Sequence, residues 1–179
     1  MEEKIPSLFI GRFQPFHIGH LSDIKNIISK GEFCTIVIAA ANKSGTWRNP
    51  LTGDQRGRIL TETLAAETDL SPDSYKIMQL PDIDDDKRWA SYVVDSVPPF
   101  KKIYSGSAFV RSFFEKNSRF ETLPVTMIPD GEGDRLRATT IRNKALAGKS
   151  YDHFLHPRTK EILDELAFRD LLVKISEQS

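Results

Sequence analysis

A single cysteine, Cys34, stands among 179 residues, which leaves it no partner for an internal disulfide and rules out a zinc site built on thiolates. It lies inside the run FCTIVIAAA, where a thiol is a small core residue and not an exposed nucleophile. An excess of either charge is also missing: 25 Lys and Arg balance 25 Asp and Glu. No overall field draws nucleic acid or an anionic membrane to the chain, so any anion site has to be local. Apolar runs such as 34–41 fall far short of the ~20 residues of a membrane-spanning helix. The start MEEK has no apolar signal core, and the expectation is a cytoplasmic protein that binds neither nucleic acid nor membrane. Internal repeats and low-complexity segments are absent.

Hydrophobic residues at 39% and charged residues at 28% are ordinary for a globular protein. The length suits one domain, 1–179. Strand-like and helix-like segments alternate along it. SLFIG (7–11) reads as a strand, and 18–30 places Ile18, Leu21, Ile24, Ile27 and Ile28 on one helical face. CTIVIAA (34–40) has the continuous apolar character of a strand buried on both sides, and LTGD marks the start of a helix over 53–66. YKIMQL (75–80), KKIYS (101–105) and PVTMI (124–128) are the remaining strands. Helices are expected over 88–96, 107–116, 139–147 and 157–174, so the chain is helical from about 139 onward. This alternation predicts an α/β fold, a Rossmann-like doubly wound parallel sheet of about five strands with right-handed crossovers. In such sheets ligands bind beyond the carboxyl ends of the strands, which directs attention to the loops there.

The first of those loops is GRFQPFHIGH, 11–20. Gly11 permits a sharp turn off the strand and Gly19 a close approach of a ligand to the helix start. His17 and His20 stand three apart in the first helical turn, beside unpaired backbone N–H groups, and Arg12 adds a permanent cation. The same residues also fit a core plug of Phe13, Pro15 and Phe16 followed by polar residues at a helix start. Zinc ligation by the two histidines lacks a third ligand nearby. A second basic element, RLRATTIRNKALAG (135–148), places Thr139 or Thr140 as a helix cap and Arg142 in the first turn. By itself this also fits a capped surface helix. Trp89, beside Val93 and Val94, suits either the core or a stacking platform. Asp84, Asp85 and Asp86 read as a solvated loop, since adjacent carboxylates point apart.

Taken together, GRFQPFHIGH resembles the H-x-G-H signature of the nucleotidyltransferase superfamily in the form typical of archaeal-type nicotinamide mononucleotide (NMN) adenylyltransferases. LRATTIR (136–142) is similar to that family's second signature, in which a Ser-Gly pair stands where this chain has Arg137-Ala138. The resemblance continues through NKSGTWRNPLTGDQR (42–56), PDIDDDKRWASYV (81–93) and VPPFKKIYSG (97–106). It implies the H-x-G-H nucleotidyltransferase fold and transfer of the adenylyl group of ATP to NMN, giving NAD and pyrophosphate. Adenylyl or cytidylyl transfer to another phosphate acceptor, or a non-catalytic nucleotide sensor, are the alternatives.

The resemblance also implies roles. His17, His20 and Arg142 would act on the reacting phosphates. Gly11, Arg12, Phe13, Gly19, Gly106, Ser107, Thr139, Thr140 and Ile141 would complete the ATP site. Arg48, Asp82, Ile83, Asp86 and Trp89 would hold NMN, with Arg48 on its phosphate and Trp89 on its ring. Mg²⁺ would arrive with ATP, with no dedicated protein metal site, and the relatives' habit implies a homo-oligomer.

Overall fold

The computed structural model describes residues 5–116 and 118–178. Five strands, β1 (Ile5–Gly11), β2 (Glu32–Ala39), β3 (Tyr75–Leu80), β4 (Lys102–Tyr104) and β5 (Glu121–Leu123), form one sheet in the order β3-β2-β1-β4-β5, and every neighbouring pair is parallel. The connections carry α1 (Ile18–Ser29), α2 (Gly53–Ala66), α3 (Asp86–Ser96) and α4 (Ala108–Ser112), and the chain ends with α5 (Ala138–Leu146), α6 (Pro157–Glu165) and α7 (Phe168–Glu177). The expected α/β doubly wound sheet is therefore present.

Side chains alternate across the pleat and divide the core in two. Phe9, Ile36, Ile38 and Tyr104 face one side, where Ile24 and Ile27 of α1, Ile59, Leu60 and Leu64 of α2, and Ile141, Ile162, Phe168 and Leu172 of the last three helices cover them. Leu8, Ile10, Val37 and Ile103 face the other side, against Val93 and Val97 near α3 and Phe100 and Phe114. Helices thus cover both faces, and the strand order reverses direction between β1 and β4. The crevice at that reversal opens beyond Gly11 and Tyr104.

Four expectations differ from the structure, the helix foreseen over 107–116 being confined to Ala108–Ser112. The strand foreseen at 124–128 lies at Glu121–Leu123, paired with Lys102–Tyr104, and 124–128 leaves the sheet after Pro124, which has no N–H for a ladder. The helix foreseen over 157–174 is broken where Ala167 adopts a left-handed conformation, φ 47. α5 begins after an Arg137 N-cap, whose guanidinium has no acceptor with which to cap, and Thr139 lies already inside the helix, its hydroxyl accepting from Arg142 at 3.1 Å.

At the amino end of the strands, Glu32 is 1% exposed and accepts from Lys102 Nζ at 2.6 Å, Tyr104 at 3.1 Å and the Ser7 hydroxyl. Burial works to raise its pKa, but the bonds from Lys102, Ser7 and Tyr104 outweigh that and hold the carboxyl below its ordinary value. This knot joins β1, β2 and β4 at the end opposite the crevice.

Candidate active site

A cavity of about 540 Å³ occupies the crevice, within the size range of small-molecule sites. Its centre is the start of α1. His17 is the N-cap, and its Nδ1 accepts the Gly19 N–H at 3.2 Å. In return the His17 N–H donates to His20 Nδ1 at 3.3 Å. This is a capping box built from two imidazoles. Because both Nδ1 atoms accept, each neutral ring carries its proton on Nε2 and presents a donor there. The rings stack 3.6 Å apart, and His20 lies against Phe16 at 5.6 Å and edge-on to Phe13 at 5.0 Å. Burial pushes the His17 pKa down to about 3. His20 is also pushed well down, by burial and then by the neighbouring His17. Both rings are therefore uncharged donors at neutral pH.

The two glycines of the loop make room for rings. A Cβ on Gly19 would meet the His17 ring at 3.0 Å, and one on Gly11 would meet the Phe13 ring at 3.0 Å. The missing Cβ of Gly19 leaves room for the His17 ring, and Gly19 also lines the cavity. The left-handed residue of the loop is Phe13, φ 51, whose side chain is 2% exposed. The core-plug reading of Phe13 and Phe16 and the anion-site reading of the histidines thus hold together: the plug is the surface on which His20 rests.

Guanidinium groups ring the cavity. Arg12 and Arg48 line it, and the Arg12 pKa is lowered by burial and by Arg48 against the opposing pull of Asp82. Arg142, 5% exposed, stands behind them, donating to Gln14 O at 2.6 Å and to the Thr139 hydroxyl and lying over the Trp47 ring at 5.4 Å. Burial, then Arg12 and Arg48, push its pKa down to about 10, and its buried Nε has no hydrogen-bond partner among the described residues. On the opposite side of the cavity Arg135 donates to Gly106 O at 2.9 Å and Arg111 to Ser105 O at 2.6 Å, with Arg137 also on the wall. Like charges gathered in this way are unfavourable until an anion joins them.

Of the residues expected at the site, Gly11, Arg12, His17, Gly19, His20, Arg48, Asp82, Asp86, Trp89, Gly106, Ser107 and Thr139 line this cavity. Ile83 faces a separate shallow hollow with Asp85, Arg88 and Tyr92, and Ile141 is fully buried in the core. Phe13 and Arg142 are buried and stand behind the lining, and Thr140 is half-buried and not part of it. Both backbone groups of Asp82 are engaged by Asn42, at 2.8 and 3.2 Å. Trp89 packs on Phe113 at 5.5 Å and also lines the cavity.

Sequence reasoning missed Arg56, Arg135, Asp23 and the wall formed by Val125, Thr126, Met127 and Ile128. Arg56 is fully buried and donates to Arg12 O, Ala39 O, Ala40 O and Thr52 O at 2.8 to 3.1 Å. It ties together the ends of β1 and β2 beneath the site. Only its place in the first turns of α2, beyond a strand end, hinted at this. Among the described residues no group of three or more His, Cys, Asp or Glu could hold a metal ion, and no helix is long and apolar enough to cross a membrane.

Comparison with known proteins agrees with this geometry. The cytidylyltransferase-like family matches residues 8–144. Nicotinamide-nucleotide adenylyltransferase of Thermococcus kodakarensis is 32% identical over 89% of this chain and 82% of its own, and that of Methanococcus maripaludis strain C6 is 32% identical over 96% of both. Among solved structures, a bifunctional NMN adenylyltransferase/ADP ribose pyrophosphatase of Francisella tularensis, complexed with AMP and a manganese ion, superposes with a TM-score of 0.69 at 21% identity, over 96% of this chain and 52% of that one. A nicotinic acid mononucleotide adenylyltransferase of Plasmodium falciparum, complexed with NaAD, gives 0.64 at 11% identity over 94% and 98%. A parallel sheet opening onto paired histidines and arginines, and these relatives along nearly its whole length, make the chain a nucleotidyltransferase of the cytidylyltransferase-like family, among the nicotinamide-nucleotide adenylyltransferases.

Proposed function

We propose that the chain transfers the adenylyl group of ATP to NMN, forming NAD and releasing pyrophosphate. The observation that carries this reading is the pair of Nε2 donors of His17 and His20 set between two groups of arginines in one cavity. A phosphate monoester is already an anionic nucleophile at neutral pH, so no strong base is required. The chain has to bring two anions together in line and to stabilise charge on the departing pyrophosphate.

Arg48 holds the acceptor phosphate, with Asp82, Asp86 and Trp89 on the nicotinamide side, and Arg12 holds phosphate of ATP. His17 and His20 donate to the reacting α-phosphoryl oxygens. The amide end of α5 around Thr139 takes the leaving phosphates, and Arg142 lends its charge from behind Thr139. The purine lies against Gly106 and Ser107.

A divalent cation that keeps most of its waters and binds phosphate oxygens needs few protein ligands, which suits a cavity richer in guanidinium than in carboxylate. Mg²⁺ would then come in with ATP, supplying neutralisation of the triphosphate when bound. Cytoplasmic location and assembly of several copies belong to the same reading, the latter checked by light scattering.

The test is pyrophosphate release with ATP and Mg²⁺, with and without NMN, the product identified by mass. NMN-dependent release with NAD formed is expected. ATP binding without release overturns the proposal and leaves a nucleotide sensor. Release only with another acceptor, such as a flavin or pantetheine phosphate, or with CTP, moves the chain to a different branch of the family.

A further inference from the structure

Beyond His20 on α1, one turn further along, Asp23 also lines the cavity. It is 5% exposed and Oδ1 accepts the backbone N–H of Thr126 at 2.7 Å, while the Thr126 hydroxyl bonds to the same carboxyl. The segment it grips has left the sheet: β5 ends at Leu123. The next backbone anchors are Leu136 N–H on Ile128 O at 2.6 Å and the bridge between Pro129 and Arg135, both at the far end. Between those supports Val125, Thr126, Met127 and Ile128 form one side of the cavity, and Met127 is 68% exposed. We infer that Asp23 is a positioning residue: through Thr126 it holds the 125–128 wall of the nucleotide cavity against the helix that carries His17 and His20.

A structural need alone does not account for a carboxyl there. The titratable groups that share the cavity with it include the uncharged His17 and His20 on its own helix and Arg12, Arg48, Arg135 and Arg137 on the walls, and none forms an ion pair with Asp23 among the described residues. Burial pushes the carboxyl up to about 6, against the opposing bonds from Thr126. At neutral pH the group is still ionised, at a cost that an apolar side chain in this place would avoid. The wall it holds lies on the β4 and β5 side, with Ser105, Gly106 and Ser107, whereas Arg48 and Asp82 lie in the loops beyond β2 and β3. Resting on the reading that ATP occupies the β4 side and NMN the β2 side, Asp23 governs the fit of ATP and not that of NMN.

The experiment compares the full-length protein with Asp23→Val and Asp23→Asn, measuring thermal melting, ATP affinity by calorimetry, and separate KM values for ATP and NMN. Asp23→Val is expected to melt at or above the wild-type temperature, yet to weaken ATP by about tenfold, the usual effect of losing a hydrogen bond to a charged group, with the NMN KM within about twofold. Asp23→Asn, whose amide oxygen still accepts the Thr126 N–H, restores ATP to within about threefold. A loss that falls equally on both substrates, no loss at all, or a lowered melting point in Asp23→Val overturns the inference, as does an Asn variant no better than Val. Should the wild type bind ATP but make no NAD, the functional reading fails, while the ATP affinities still decide the role of Asp23.

Discussion

With the lone pair of His17 Nδ1 given to the Gly19 amide, the ring cannot turn without uncapping α1. The helix start and the reactive donor are one object, which is why a two-histidine pattern spaced by three was visible in the sequence while the orientation of its rings was not. Replacing His20 by Ala removes one of the two donors that the proposed mechanism places on the reacting phosphoryl group and is expected to lower kcat by about 10²-fold, as for other charge-stabilising donors. The fold survives with the loss of half a capping box, about 1 kcal/mol. Turnover and circular dichroism of the same preparation check both statements.

The depressed pKa values have a second consequence. His17 titrates at 6.5 unfolded and about 3 folded, so below 6.5 the unfolded chain takes up a proton that the folded one refuses, and stability falls with pH. Asp23 works with the opposite sign, since its raised pKa favours the folded state as pH drops through 6. The difference between wild type and His17→Asn, which keeps an N-cap acceptor but does not titrate, isolates the first effect. The variant is expected to lose less stability between pH 7 and pH 5 in urea melts.

At the scale of elements, alternation of strand and helix was legible because buried parallel strands and amphipathic helices each carry their own period. What escaped were places where one side chain overrides the local pattern. The β-branched stretch at 124–128 reads as a strand, yet Asp23, a hundred residues away, takes the Thr126 N–H. Thr139 looks like a cap, but it lies inside the helix, its hydroxyl accepting from Arg142. The continuous periodicity of 157–174 hides the left-handed turn at Ala167. Arg56 is the same kind of long-range tie: without an acidic partner among the described residues, it is held by carbonyls from two strand ends, and its pKa is pushed down to about 10 by burial and by Arg12. Arg56→Met fills the space but leaves the Arg12, Ala39 and Ala40 carbonyls without a donor. A destabilisation of about 3 kcal/mol is expected from these buried unsatisfied groups, with activity falling in step because Arg12 loses its support. Glu32→Gln, at the opposite end of the sheet, is expected to cost about 1 to 3 kcal/mol with kcat unchanged. Urea melts and turnover for the two variants separate a site-building element contact from a remote one.

Over the whole molecule the charges cancel, 25 against 25, while the cavity collects Arg12, Arg48, Arg135 and Arg137 around it with Arg142 and Arg56 buried beside it. That separation follows from the topology. Strand ends and helix starts converge only at the crevice between β1 and β4, and the sequence distributes the arginines of the site from residue 12 to residue 142 so that they meet there. Composition could reveal the neutrality but not the convergence, which required the strand order. Mutual repulsion among these cations is borne by the empty protein and relieved by a bound polyanion. Ligand that binds only the folded state at 100 times its Kd adds about 2.7 kcal/mol, a rise in Tm of about 5 to 10 °C for a chain of this length. Inorganic pyrophosphate, the simplest anion with the charge spacing of the leaving group, is expected to produce such a rise in a thermal-shift assay, and chloride at equal ionic strength is not. An equal response to both salts would mean that the arginines are screened as scattered surface charges and do not act as one binding cradle.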